Sequence, residues 1–148
     1  MKKIIAIVMV LAVMICCVAC GGLDMSKVKG DWTLSTINGI GIEEYAANLG
    51  LDTYLAVVNV TVTDTEYKTA SALGAATLPI VVKADGFEVL VEEGGDVMMS
   101  VAYDAEKDTL SYKVMAADNS ELTYVLVRGT NSLEAPAAED TADTAEAA

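Results

Sequence analysis

The chain has 148 residues, 22 acidic against 9 basic side chains, a formal net charge of −13 and no histidine. That is one domain of ordinary size; without imidazole it has no Ser-His-Asp or Cys-His nucleophile and no histidine-ligated metal. So acidic a chain also repels nucleic acid, whose phosphates need a concentrated basic face. The three cysteines all lie at or before position 20, so they build no zinc cluster in the rest of the chain, and no motif signals a cofactor.

The first twenty residues read as a targeting segment. Lys2 and Lys3 make a positive start, Ile4 to Val18 is unbroken apolar sequence, and Ala19 is a small residue at which a peptidase would cut. Val18-Ala19-Cys20-Gly21 resembles the lipobox of bacterial lipoproteins. The resemblance implies that Cys20 is acylated and becomes the first residue of the mature chain, held in the membrane by its lipid. The alternative is an uncleaved span, although Ile4 to Cys20 falls short of the ~20 apolar residues a spanning helix needs and Gly21-Gly22 breaks it. Either way the domain stands on the extracytoplasmic face of the cell membrane. Residues 1–19 are thus expected as a lipoprotein signal peptide and 20–25 as a tether. Cleavage removes Cys16 and Cys17, which leaves no disulfide and makes stability rest on packing.

Beyond the tether the dominant period is two, interrupted by turn signals, the pattern of a sandwich or barrel. Asp31 to Ile37 is the first predicted strand. Gly41 to Gly50 breaks the pattern: Ile42, Tyr45, Ala46 and Leu49 fall at helical spacing, Glu43 and Glu44 suit a helix N-terminus, and Gly50 can end it. Leu55 to Thr63 and Glu66 to Ala70 then pair across Asp64-Thr65, and Leu78 to Ala84 and Phe87 to Val91 across Asp85-Gly86. Val97 to Tyr103, Thr109 to Met115 and Glu121 to Arg128 complete the series. From Glu134 to Ala148 there are five acids, no base and no large apolar residue, so residues 131–148 are expected as a disordered, acidic, alanine-rich tail.

Consecutive antiparallel strands with short turns close most economically as a barrel, because closure removes the exposed edges. The predicted fold class is therefore all-β: an eight-stranded up-and-down antiparallel barrel over residues 26–130, with one short helix between strands 1 and 2. Lys29-Gly30-Asp31-Trp32-Thr33-Leu34 resembles the Gly-x-Trp signature of lipocalins, and Tyr124-Val125-Leu126-Val127-Arg128 resembles their last strand. The whole is similar to the small lipocalin-like lipoproteins of Gram-positive bacteria. That resemblance implies that Arg128 packs over Trp32 at the closed end of the barrel, and that the open mouth takes a hydrophobic molecule. Strand parity agrees, since Trp32 and Leu34 share one face and Leu122, Tyr124, Leu126 and Arg128 share another.

Alternation assigns inward faces to Val58, Val60 and Val62; to Ile80 and Val82; to Phe87, Val89 and Val91; and to Val97, Met99, Val101 and Tyr103. On the last two strands it assigns Leu110, Tyr112 and Val114, then Leu122, Tyr124 and Leu126. Residues this bulky favour a filled interior in an eight-stranded barrel. A ligand, if one binds, is expected against Trp32, Phe87, Tyr103, Tyr112 and Tyr124, with the helix from Ile42 to Leu49 able to plug or gate the mouth. Glu92-Glu93 and Asp104 to Asp108 read as solvated turns, and Ser111 with Lys113 as outward neighbours, so no catalytic residue and no metal ligand is expected. The expected function is an extracytoplasmic, lipid-anchored binding module for a small apolar ligand. The alternative is an envelope protein-interaction or scaffold module with a filled barrel and no ligand. Neither is an enzyme.

Overall fold

The computed structural model describes residues 22–135; the expected signal peptide with Cys20, and most of the expected acidic tail, lie outside them. After a 3-10 turn at Met25–Lys27, capped by Asp24, come β1 (Gly30–Ile37), the short β2 (Ile40–Gly41), α1 (Ile42–Asn48) and α2 (Thr53–Ala56). β3 (Val58–Val62), β4 (Glu66–Ser71), β5 (Gly74–Val82), β6 (Gly86–Leu90), β7 (Val97–Asp104), β8 (Thr109–Met115) and β9 (Glu121–Arg128) follow. Each strand pairs antiparallel with the next, and β1 pairs with both β3 and β9, so β1 and β3 to β9 close an eight-stranded up-and-down barrel. Closure is physically favoured because it leaves no end strand with unpaired backbone groups.

One end holds the N-terminal segment and the turns at 63–65, 83–85 and 105–108. The opposite end holds α1, α2 and the hairpin tips at 72–73, 91–96 and 116–120. The half near the N-terminal segment is packed solid. Trp32, Val62, Tyr67, Phe87, Val101, Leu110 and Leu126 form one buried cluster there with Val28 beneath them, and each large side chain so buried contributes about 1.5–3 kcal/mol. Tyr67, in the otherwise polar strand β4, joins this cluster without being among the residues expected inward. It stands in register with Val62 on one side and Leu78 on the other, which turns it inward, with its ring 6.0 Å from that of Phe87.

Two bulges re-aim residues that simple alternation misplaces. Between Leu34 and Thr36 one extra residue in β1 brings Ile37 opposite Tyr124, so Leu34 and Ile37 both reach the interior. Between Met99 and Val97 the extra residue, Met98, lies in β7, which shifts Val97 onto the opposite parity from Met99 and Val101, and Val97 is exposed. Val97 is therefore not the inward residue expected. Val82, Val91 and Val114, also expected inward, are exposed because they stand at or beyond the last paired rungs of their strands.

Local corrections follow from packing as well. The strand expected from Leu55 begins at Val58, because Thr53–Ala56 turns once as α2 and Val57 is buried beside Leu34, Ile37 and Ile42. Leu49, expected on the apolar face of α1, caps its C-terminus and is exposed. Gly50, at φ 69°, makes the reversal, and Leu51 N–H donates to Ala46 O at 2.9 Å. The expected tether is part of the fold from Leu23 onward: Leu23 and Met25 pack on the barrel core, and Leu23 N–H donates to Lys83 O at 2.8 Å. At the far end Asn131 exchanges hydrogen bonds with the Asn59 side chain and Leu133 packs beside Ile42, so the ordered domain passes the boundary drawn at 130.

Candidate functional site

The closed end is built around a pair separated by the length of the barrel sequence. Trp32 and Arg128 are partners in the β1–β9 register, and the guanidinium carbon lies 3.8 Å from the centroid of the indole. Trp32 is fully buried, and its Nε1–H donates to Val28 O at 2.8 Å. Arg128 donates from Nη1 to Lys29 O at 2.9 Å, from Nη2 to Lys27 O, and from Nε to Asp108 Oδ2 at 3.1 Å. A planar five-donor fork can stack and bond along its edges at once, which an ammonium cannot. Gly30 makes room: it sits at φ 123°, and a Cβ there would stand 3.3 Å from Arg128 Nη1.

Asp108 completes this end: expected as part of a solvated turn from Asp104 to Asp108, it is bonded to the closing pair instead. It takes a positive φ of 49° and accepts from Arg128 and from the Tyr103 hydroxyl at 3.1 Å. The Arg128 bond holds its carboxyl below the ordinary aspartate range, while burial and the Asp108 bond push the Tyr103 phenol up. The Tyr103 ring meets Trp32 edge-on, with centroids 6.3 Å apart. Indole, guanidinium, phenol and carboxylate thus form a plug, a structural closure with no room for a ligand between its members.

The five aromatic residues expected to line a ligand do not converge. Trp32, Phe87 and Tyr103 belong to the packed half. Tyr112 and Tyr124 lie toward the other end, half-buried and stacked with centroids 5.1 Å apart and planes 6° from parallel. Burial, then the neighbouring Tyr124, pushes the Tyr112 phenol up to about 12, and burial raises Tyr124 too.

The opposite end is splayed. The β5–β6 ladder has rungs only from Val82–Phe87 to Ile80–Val89, and the β7–β8 ladder stops at Val101–Tyr112. Past those rungs the wall separates into three hairpin fingers: β4–β5, β6–β7 and β8–β9. Pro79 accounts for the first split, because the next rung would need its N–H, which proline lacks. Each finger ends in exposed apolar side chains: Leu73 on the first, Val91, Val97 and Met98 on the second, Val114 and Met115 on the third. On the remaining side α1 covers the end, with Ile42 and Tyr45 packed toward Leu34, Leu122 and Tyr124, while Leu49 and Leu51 beyond it stay exposed.

The bases are unevenly placed along the same axis. Lys27, Lys29, Lys83, Lys107 and Arg128 lie at the plugged end among seven acids, Asp24, Asp31, Asp64, Asp85, Asp104, Glu106 and Asp108, and four ion pairs join Lys29, Lys83, Lys107 and Arg128 to carboxylates. At the splayed end stand Glu43, Glu44, Asp52, Glu92, Glu93, Asp96, Asp118 and Glu121. Of these, Glu121 is paired to Lys113 at 2.7 Å.

Two clefts lie outside the barrel, beside α1. One of about 430 Å³ runs between Thr33, Ser35, Ile42 and Asn131, and the other, of about 530 Å³, between Ile42, Tyr54, Val57 and Ser132. The buried Thr33 hydroxyl at the floor of the first has no protein partner. Among the described residues no three carboxylate, thiol or imidazole groups cluster as a metal site requires. In comparisons with known proteins, the chain matches no family model, no curated protein and no solved structure.

Proposed function

We propose that this protein is a lipocalin-like, lipid-anchored binding module on the extracytoplasmic face of a cell membrane, and that its working surface is the splayed end of the barrel. The observation that carries this reading is the polarity of the barrel. One end is plugged by Trp32, Arg128, Tyr103 and Asp108, whereas the other exposes large apolar side chains on three separate fingers. Exposed apolar patches on a domain this size mark interaction sites. The Gly-x-Trp and lipobox resemblances supply the class and the anchor. Gly22 lies beside Val82 and Lys83 at the plugged end, and at about 3.3–3.6 Å per residue an acyl group on Cys20 can stand only a short way from it. The splayed end then faces away from the bilayer, and the plugged end faces the lipid headgroups.

A neutral apolar dye, Nile red, tests the working surface on the chain from Gly22 to Ala135. Its fluorescence should rise on binding and be lost in Val97→Glu and Met115→Glu, both already exposed, with unfolding temperature unchanged. Uptake that survives both substitutions overturns the assignment. Mass spectrometry of the cell-purified protein tests the anchor, with an acylated Cys20 at the N-terminus as the expected result. A second reading, a protein-interaction module with no small ligand, is favoured by the packed lower half, which leaves Trp32 and Phe87 no accessible surface for a ligand.

A further inference from the structure

We infer that the splayed end receives an extended, basic segment of another polypeptide, apolar on one face, which adds itself as a strand to the free edge of β5. This rests on the reading of that end as the working surface and names its partner class. The first support is a backbone edge with nothing to pair with. Ile80 N–H donates to Thr65 O toward β4, and Lys83 N–H donates to Gly86 O toward β6. Backbone groups alternate sides along a strand, so those of Ala75, Thr77 and Pro79 point toward β6. The β5–β6 ladder has already stopped at Ile80, leaving Ala75 and Thr77, both exposed, with a donor and an acceptor each along an open slot. Exposed edges of this kind are templates for strand addition.

The second support is charge. Glu92, Glu93 and Asp96 form the tip of the facing finger, and among the described residues no base pairs with them. An acidic rim beside apolar Val91, Val97 and Leu73 is complementary to a strand that alternates basic and apolar residues. The same charge disfavours two other occupants. A second copy brings a net charge of −13, and the chain's own end, Glu134 to Ala148, brings five acids and no base.

The test uses the full chain in neutral phosphocholine nanodiscs and a fluorescent peptide of about eight alternating lysine and valine residues, with anisotropy read against empty nanodiscs. Binding is expected for this peptide, is absent for the glutamate–valine counterpart, and weakens as salt rises through about 0.5 M. Thr77→Pro removes one edge donor without touching the groups that face β4, and should weaken binding about tenfold. The triple variant Glu92→Gln, Glu93→Gln, Asp96→Asn should weaken it by a similar factor while leaving the edge intact. Equal binding of both peptides, or wild-type affinity in both variants, overturns the inference. So does concentration-dependent self-association abolished by Thr77→Pro, which would make a second copy the occupant. Nile red uptake without peptide binding overturns it while leaving the proposed working surface standing.

Discussion

Arg128→Ala isolates the interaction that seals the barrel. The substitution removes a guanidinium stacked 3.8 Å over the buried Trp32, and its donation to the carbonyls of Lys27 and Lys29. A cation on an indole is worth about 1–2 kcal/mol when partly desolvated, and each charge-assisted hydrogen bond from the guanidinium to a carbonyl, made at an exposed site, about 1 kcal/mol net. The Asp108 ion pair is solvated on both sides, with side-chain exposures of 36% and 49%, and adds little. The expected loss is therefore about 3 kcal/mol, or roughly 12 °C in Tm at ~4 °C per kcal/mol. Arg128→Lys keeps the charge but neither the planar stack nor the second carbonyl bond, and should lose about 2 kcal/mol. Asp108→Asn should fall well short of both. Urea unfolding followed by fluorescence reads the effect at its source, because Trp32 is the chain's single tryptophan. If Arg128→Ala costs less than about 1 kcal/mol, or if Asp108→Asn costs as much as Arg128→Ala, the reasoning fails.

Gly86→Ala should be among the most damaging single substitutions, costing at least ~3 kcal/mol, because a Cβ there would stand 2.0 Å from Val101 O on β7; circular dichroism on heating checks it, and a variant of wild-type Tm refutes it. In alkali, burial raises the Tyr67 phenol strongly and the Tyr112 phenol to about 12. A raised phenol contributes stability that is complete below the ordinary value of ~10 and is lost as pH climbs through the folded value. Stability should thus decline from about pH 10 to 12, with tyrosinate absorbance from these two rings appearing together with unfolding rather than before it. In acid the sign reverses. Asp108, bonded by Arg128, and Asp104 and Asp118, bonded by their turn backbones and Ser120, have lowered folded values. Their contribution is complete above about pH 4 and disappears below it, so stability to urea should fall less steeply as pH drops below about 4 in Asp108→Asn than in the parent chain, and equal slopes refute this.

Strand order, the antiparallel meander, the intervening helix and the closing pair were legible in the residues. Period-two alternation and the Asp85-Gly86 and Asp64-Thr65 turns are local signals. The meeting of Trp32 and Arg128 is what the resemblance to lipocalins implies, and the parity within the first and last strands agrees with it without fixing it. Asp108 and Tyr67 were not legible as parts of the core and the plug. Asp108 sits in a charged turn like several others, and Tyr67 is one apolar residue in a polar strand; only the neighbouring strands give either a partner.

The sequence by itself determined which residues alternate, where the chain turns and which charges it carries, because those properties belong to adjacent residues and need no third dimension. The tertiary structure decided where the ladders stop. The bulges at Ser35 and Met98 and the missing donor of Pro79 act through register between strands, which local pattern does not contain. Those few missing rungs divide the barrel into a sealed end and a splayed one, and they turn Val91, Val97 and Val114 from expected core into exposed surface.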